Sequence, residues 1–112
     1  MLEECLNKVE LQGNIGSVSI DRFGDKLYAK IALATTRAFK DNNGNAVLET
    51  TWHNCSCFES NKIPSEILNK LDKGMAVNVK GRLHNVRLTA PESGFDYVIT
   101  EIVANEITII ND

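Results

Sequence analysis

Asn61-Lys62-Ile63-Pro64-Ser65-Glu66-Ile67-Leu68-Asn69-Lys70-Leu71-Asp72-Lys73-Gly74 is the one stretch of this chain whose apolar residues fall at helical spacing. Ile63, Ile67, Leu68 and Leu71 recur at intervals of about one turn. Pro64 falls in the first turn, where its missing N–H costs nothing, and Gly74 stands just past the end as a C-cap. The spacing predicts a helix over 61–73. On either side the period changes to two, the signature of half-buried strands.

Leu6 to Ile20 alternates, with Val9, Leu11 and Ile15 on one parity. Gly13 and Gly16 inside that pattern predict a bend or bulge of the kind a curling sheet needs. After the turn signal Arg22-Phe23-Gly24-Asp25, Lys26 to Thr36 alternates again, with Leu27, Ala29, Ile31 and Leu33 facing one way. Lys40-Asp41-Asn42-Asn43-Gly44-Asn45 reads as a hairpin tip, and Val47 to Phe58 as the third strand. Past the helix, Met75, Val77, Val79, Gly81 and Leu83 mark strand four. A loop with Pro91 and Gly94 leads into strand five, Phe95 to Ile110, with Tyr97, Ile99 and Val103 on one parity. Three strands, one helix and two strands is the element order of an all-β, five-stranded Greek-key barrel of the OB-fold type, with its helix between strands three and four.

A length of 112 residues holds one domain, 1–112, with its core at about 6–110. Hydrophobic residues at 43% and charged residues at 24% are a globular composition, which excludes a disordered or collagen-like chain. No apolar run approaches the roughly 20 residues of a membrane span, and Met1-Leu2-Glu3-Glu4-Cys5 has neither part of a signal peptide. Three cysteines, odd in number and at no framework spacing, point to a reducing interior. The expectation is a soluble cytoplasmic protein without a membrane partner.

By alternation Trp52, Asn54, Ser56 and Phe58 share one face of strand three, while His53, Cys55 and Cys57 share the other. A lone tryptophan in so small a domain, or a phenylalanine such as Phe58, is ordinarily plain core. Here both rings project from the face that otherwise carries small polar groups. Base stacking accounts for that inversion, because an aromatic ring on a polar sheet is a platform for any base, worth ~1–3 kcal/mol each.

A net charge of −3 runs against a nucleic-acid partner unless the basic residues gather on one face. Arg37 and Lys40 flank Phe39 at the long hairpin, Lys80 and Arg82 share a parity of strand four, and Arg87 lies beyond. Alternating basic residues are usually a solvated face. With Glu66 and Asp72 on the helix and Glu3, Glu4 and Asp112 at the ends, the expectation is a local basic groove around the aromatic face.

His53-Asn54-Cys55-Ser56-Cys57 invites a metal or thiol reading. On a strand these groups stand in a row ~7 Å apart rather than converging on one ion, and no second ligand pair exists. The cysteines read as small core residues, and a His-x-Cys strand offers neither aligned base nor oxyanion hole. With no phosphate loop, carboxylate pair or Ser-His-Asp order, the expectation is no catalytic residues, no metal and no cofactor.

Six segments in order resemble the bacterial single-stranded DNA-binding protein family over about Asn7 to Ala104. Asn7-Lys8-Val9-Glu10-Leu11-Gln12-Gly13-Asn14-Ile15-Gly16 is similar to its N-x-V-x-L-x-G-x-L-G, and Leu33-Ala34-Thr35 to its L-A-T. Thr51-Trp52-His53 with Phe58 resembles E-W-H-x-x-x-x-F. Lys73-Gly74, Lys80-Gly81-Arg82-Leu83 and Thr100-Glu101-Ile102-Val103-Ala104 resemble K-G, E-G-x-L and T-E-I-V-A.

The resemblance implies a non-enzymatic, homotetrameric OB-fold that coats single strands in replication, repair and recombination. It implies that Phe39, Trp52 and Phe58 stack bases while Arg37, Lys40, Lys80, Arg82 and Arg87 follow the backbone, with little sequence preference. Departures are Leu88 in place of a fourth aromatic, Asn54 in place of an arginine, and an end at Ile109-Ile110-Asn111-Asp112 without the family's acidic tail. From the last the expectation is no tail-mediated recruitment of replication enzymes. Two alternatives stay open: a dimeric primosomal accessory protein of the same barrel type, and an OB module for protein assembly that no longer binds DNA.

Overall fold

A computed structural model describes residues 2–111; the terminal Met1 and Asp112 lie outside the described residues. Five strands, β1 (Val9–Phe23), β2 (Lys26–Lys40), β3 (Ala46–Phe58), β4 (Ala76–Thr89) and β5 (Asp96–Asn111), and one helix, α1 (Ser65–Lys70), follow the order read from the sequence. The strands close into a barrel in the order β1-β2-β3-β5-β4. Closure rests on a short parallel seam, Cys55–Cys57 of β3 against Ile102–Ala104 of β5, while every other pairing is antiparallel.

Period-two alternation decides what faces inward. Leu27, Ala29, Ile31 and Leu33 of β2, Cys55 and Cys57 of β3, Val77 and Val79 of β4, and Ile102, Ala104 and Ile107 of β5 are all buried in one core. Leu68 of α1 joins that core together with Ile63 and Leu71 on either side of it. Gly13 and Gly81 let strands pass where a Cβ would run into the carbonyls of Ala34 and Val103. The register of β1 on β2 shifts between Ile15 and Ser17, so the bend predicted at Gly16 is a bulge there.

The helix is shorter than its spacing predicts. It runs for 6 residues, and Leu71 already has an extended backbone (φ −60, ψ 133). Ile63 is placed by a turn in which Ser60 and Ile63 exchange backbone hydrogen bonds, so the apolar period records burial beyond the helical segment itself. Gly74, at φ 91, serves a turn three residues past Leu71 and is not the C-cap.

The hairpins, by contrast, run longer than expected. β1 and β2 pair out to Phe23 and Lys26, β2 and β3 to Lys40 and Ala46, and β4 and β5 to Thr89 and Asp96. These ribbon ends leave the barrel, so their alternation has no core to record. They raise the radius of gyration to 16.5 Å, against the roughly 13 Å of a compact chain near this length. At the β2–β3 tip the Asp41 carboxylate accepts the N–H groups of Asn43 and Asn45, each at 2.9 Å, and Gly44 supplies the positive φ of 79.

Candidate nucleic-acid interface

Three outward rows cross β1, β2 and β3 in register: Ser17–Ala32–Asn54, Ser19–Lys30–Ser56 and Asp21–Tyr28–Phe58. Trp52 stands one row further on, opposite Ala34. Its indole is 61% exposed and the Phe58 ring 51%. The two rings stand six positions apart along β3, about 20 Å at strand rise, with Asn54 and Ser56 on the same face between them.

Each ring has a seat. A Cβ on Gly16 would collide with Cζ3 and Cη2 of Trp52, so the bulge that bends β1 also leaves the gap beside which the indole lies. Phe58 stacks on Tyr28 with centroids 5.7 Å apart and planes at 24°. An aromatic held by a neighbour loses little freedom when a base lies on it.

The opposite face of β3 is structural. His53 is half-buried and shares a 2.9 Å hydrogen bond between its Nε2 and Thr35 Oγ1. Burial pushes the Cys55 thiol up to about 11, with the Glu101 charge adding to the effect, and pushes Cys57 up to about 12, with Cys55 adding. Thiols so held are protonated and inert at neutral pH. Among the described residues no His, Cys, Asp and Glu cluster could hold a metal ion.

Beneath the platform, Ser56 is buried although it points outward, because its hydroxyl donates to Glu101 Oε2 at 2.8 Å. Glu101 Oε1 lies 3.3 Å from His84 Nδ1. The Glu101 carboxylate is thereby tied down.

The basic residues are not gathered as the sequence suggests. Arg37 Nε donates to Glu49 at 2.8 Å, and its guanidinium carbon lies 4.5 Å over the Phe39 ring. Arg37 and Phe39 both fall on the opposite parity of β2 from Ala34, the partner of Trp52, so this half-buried ring lies on the other face of the ribbon. Lys80 stands between Glu10 of β1 and Glu106 of β5 in register. Arg87 lies 4.0 Å from Asp96. Strand pairing brings these carboxylates in from other segments, which linear proximity cannot show. Arg82, paired with Val103, and Lys40, paired with Ala46, have no acid opposite them.

Reading the sequence missed Tyr28, Lys30 and Gly16 as parts of this surface. The signal for the first two was available: if Leu27, Ala29 and Ile31 face the core, Tyr28 and Lys30 face out. Tyr97, 47% exposed and directly opposite Leu88, is a further exposed aromatic on the ribbon.

A family model described as the single-strand binding protein family matches residues 6–110. Proteins named single-stranded DNA-binding protein from Xylella fastidiosa and Xanthomonas axonopodis pv. citri are 32% and 34% identical over 108 residues, 94% of this chain. The chain spans 63% and 58% of those relatives' own lengths. Among solved structures, a Plasmodium falciparum SSB complex with ssDNA superposes with a TM-score of 0.82 at 26% identity, covering 99% of this chain and 100% of that one. A deletion variant of the Thermus aquaticus single-stranded DNA binding protein shares the fold, with a TM-score of 0.75 at 21% identity over 95% of this chain and 51% of its own. With a matching sequence pattern over nearly its whole length and the same closed barrel, the chain belongs to the single-strand binding protein family.

Proposed function

We propose that this chain binds single-stranded DNA with little sequence preference, as a non-enzymatic coat in replication, repair and recombination. One observation carries the reading: Trp52 and Phe58, two large apolar rings, stand exposed on the polar outer face of a single strand. Half or more of each ring is left in water, whereas a stacked base on each is worth ~1–3 kcal/mol. Stacking reads no pattern of donors and acceptors on the base edge, so the binding is tolerant of sequence. Phe39, with Arg37 over one side of its ring, is a secondary stacking position for strands long enough to follow the β2–β3 ribbon.

Arg82 and Lys40 are the backbone contacts best supported among the basic residues read from the sequence; Arg37, Lys80 and Arg87 each face a carboxylate. The protein works in the cytoplasm beside the nucleoid as a homo-oligomer, a tetramer or a dimer, with the exposed apolar residues of its ribbons, Leu48, Leu88 and Val98 among them, as the contact material.

Trp52 is the chain's single tryptophan and so both platform and probe. Titration with oligo-dT at low and moderate salt should quench its fluorescence, strongly and in a salt-sensitive way. A folded protein that neither quenches nor shifts the oligonucleotide in a gel supports the second reading, an assembly module without DNA. The carboxylates beside Arg37 and Arg87 and opposite Lys80 are the observation that favours it.

A further inference from the structure

Between Trp52 and Phe58 lies an open trough of about 330 Å³ lined by Ser17, Ser19, Lys30, Asn54 and Ser56 among others. Ser17, Ser19, Asn54 and Ser56 are small hydrogen-bonding side chains, Ala32 and Ile99 are apolar lining, and Lys30 is the one cation among the lining residues. Lys30 is exposed at the middle of the central row, with Ser19 on one side and Ser56 on the other, so neither cross-strand neighbour is an acid. Asp21 stands on the diagonal of the same face, where its Oδ1 accepts the backbone N–H of Arg22 at 2.8 Å. Glu101, beyond Ser56, is held by Ser56 and His84. Among the described residues neither Lys30 nor Lys80 takes part in an ion pair, while Arg37 and Arg87 do; Lys80 differs from Lys30 in having two glutamates opposite it in register.

We propose that Lys30 is the phosphate anchor of the site, holding the backbone of a single strand over the trough while bases stack on Trp52 at one end and Phe58 at the other. The two rings stand about 20 Å apart, so the strand between them must cross the trough with its phosphates in reach of a central cation. An ammonium on a flexible stem is a point charge that follows a phosphate without fixing a base. This inference rests on the stacking reading and adds to it a residue and a register.

The test compares the unsubstituted protein with Lys30→Gln, Lys30→Arg and, as a control, Lys80→Gln, each titrated with oligo-dT across a salt series by Trp52 quenching. One lost phosphate contact lowers the slope of log K against log salt by about 0.7 for a single strand. Lys30→Gln should therefore bind about fivefold more weakly at 0.1 M salt and equal the unsubstituted protein near 1 M. Lys30→Arg should keep the slope, Lys80→Gln should hardly change it, and an uncharged methylphosphonate dT probe should bind Lys30→Gln and the unsubstituted protein alike. An unchanged slope in Lys30→Gln, with normal quenching by the unsubstituted protein, overturns the anchor and leaves the stacking reading standing. Absence of binding by the unsubstituted protein overturns both.

Discussion

The indole of Trp52 lies where Gly16 has no side chain: a Cβ at Gly16 would overlap the far edge of the six-membered ring. Gly16 falls at the register shift of β1, so one residue both bends the strand and leaves room for the ring. The ring is largely exposed and can swing aside, so Gly16→Ala should fold with little loss of melting temperature. The displaced platform should lose up to the ~1–3 kcal/mol of one stacked base. Oligo-dT titration beside thermal melting checks this, and equal affinity in Gly16→Ala would show that the seat does not matter.

Tyr28 acts on the proposed ligand through Phe58. The pair is stacked at 5.7 Å and 24°, an arrangement worth about 0.5–1.5 kcal/mol beyond its buried area. Tyr28→Ala should weaken DNA binding, Phe58→Ala should weaken it more, and the double variant should be no worse than Phe58→Ala alone. A double-mutant cycle measures this coupling directly. Additive losses would mean that Tyr28 meets the strand by itself.

Much of this architecture was legible in the sequence because the barrel core imposes its period on β2, β3 and β4: Leu27 to Leu33 and Cys55 to Cys57 alternate as written and are buried as read. The outward placement of Trp52 and Phe58 follows from the same alternation. Lost from view was whatever depends on which strand lies beside which. Glu49 and Asp96 reach Arg37 and Arg87, and Glu10 and Glu106 come opposite Lys80, only through cross-strand register, so linear proximity could not show the carboxylates that stand among the basic residues. The helix boundaries failed for a different reason: Ile63 and Leu71 are buried in a turn and an extended segment, and burial alone carries no label of backbone conformation.

Lys80 illustrates the consequence for binding. It stands opposite Glu10 and Glu106 in register, two carboxylates that compete with a phosphate for its charge, although it is in ion-pair contact with neither. Lys80→Ala should shift the salt slope by much less than the ~0.7 of a free contact, and lower stability by under about 1 kcal/mol, as for other surface pairs. Salt-series titration with urea unfolding separates the two effects. A full-sized fall in slope would place Lys80 on the DNA after all.

The buried thiols tie stability to alkaline pH. Cys55 and Cys57 keep their protons up to about 11 and about 12 in the folded barrel, chiefly because burial disfavours the thiolate, against an ordinary value of 9.0 when the chain is unfolded. Between those values the folded state binds more protons than the unfolded state, so stability must fall as pH rises. The contribution is fully present below about pH 9 and is lost through the pH 9 to 12 window, at up to about 1.4 kcal/mol per pH unit for each thiol. Urea midpoints measured at pH 8, 9.5 and 10.5 should therefore decline, and the decline should be shallower in Cys57→Ala even though that variant starts lower for want of a core side chain. Exposed Cys5 should meanwhile react with a thiol reagent in the native protein while the other two wait for unfolding. Parallel declines in the two proteins would mean that groups other than these thiols carry the alkaline loss.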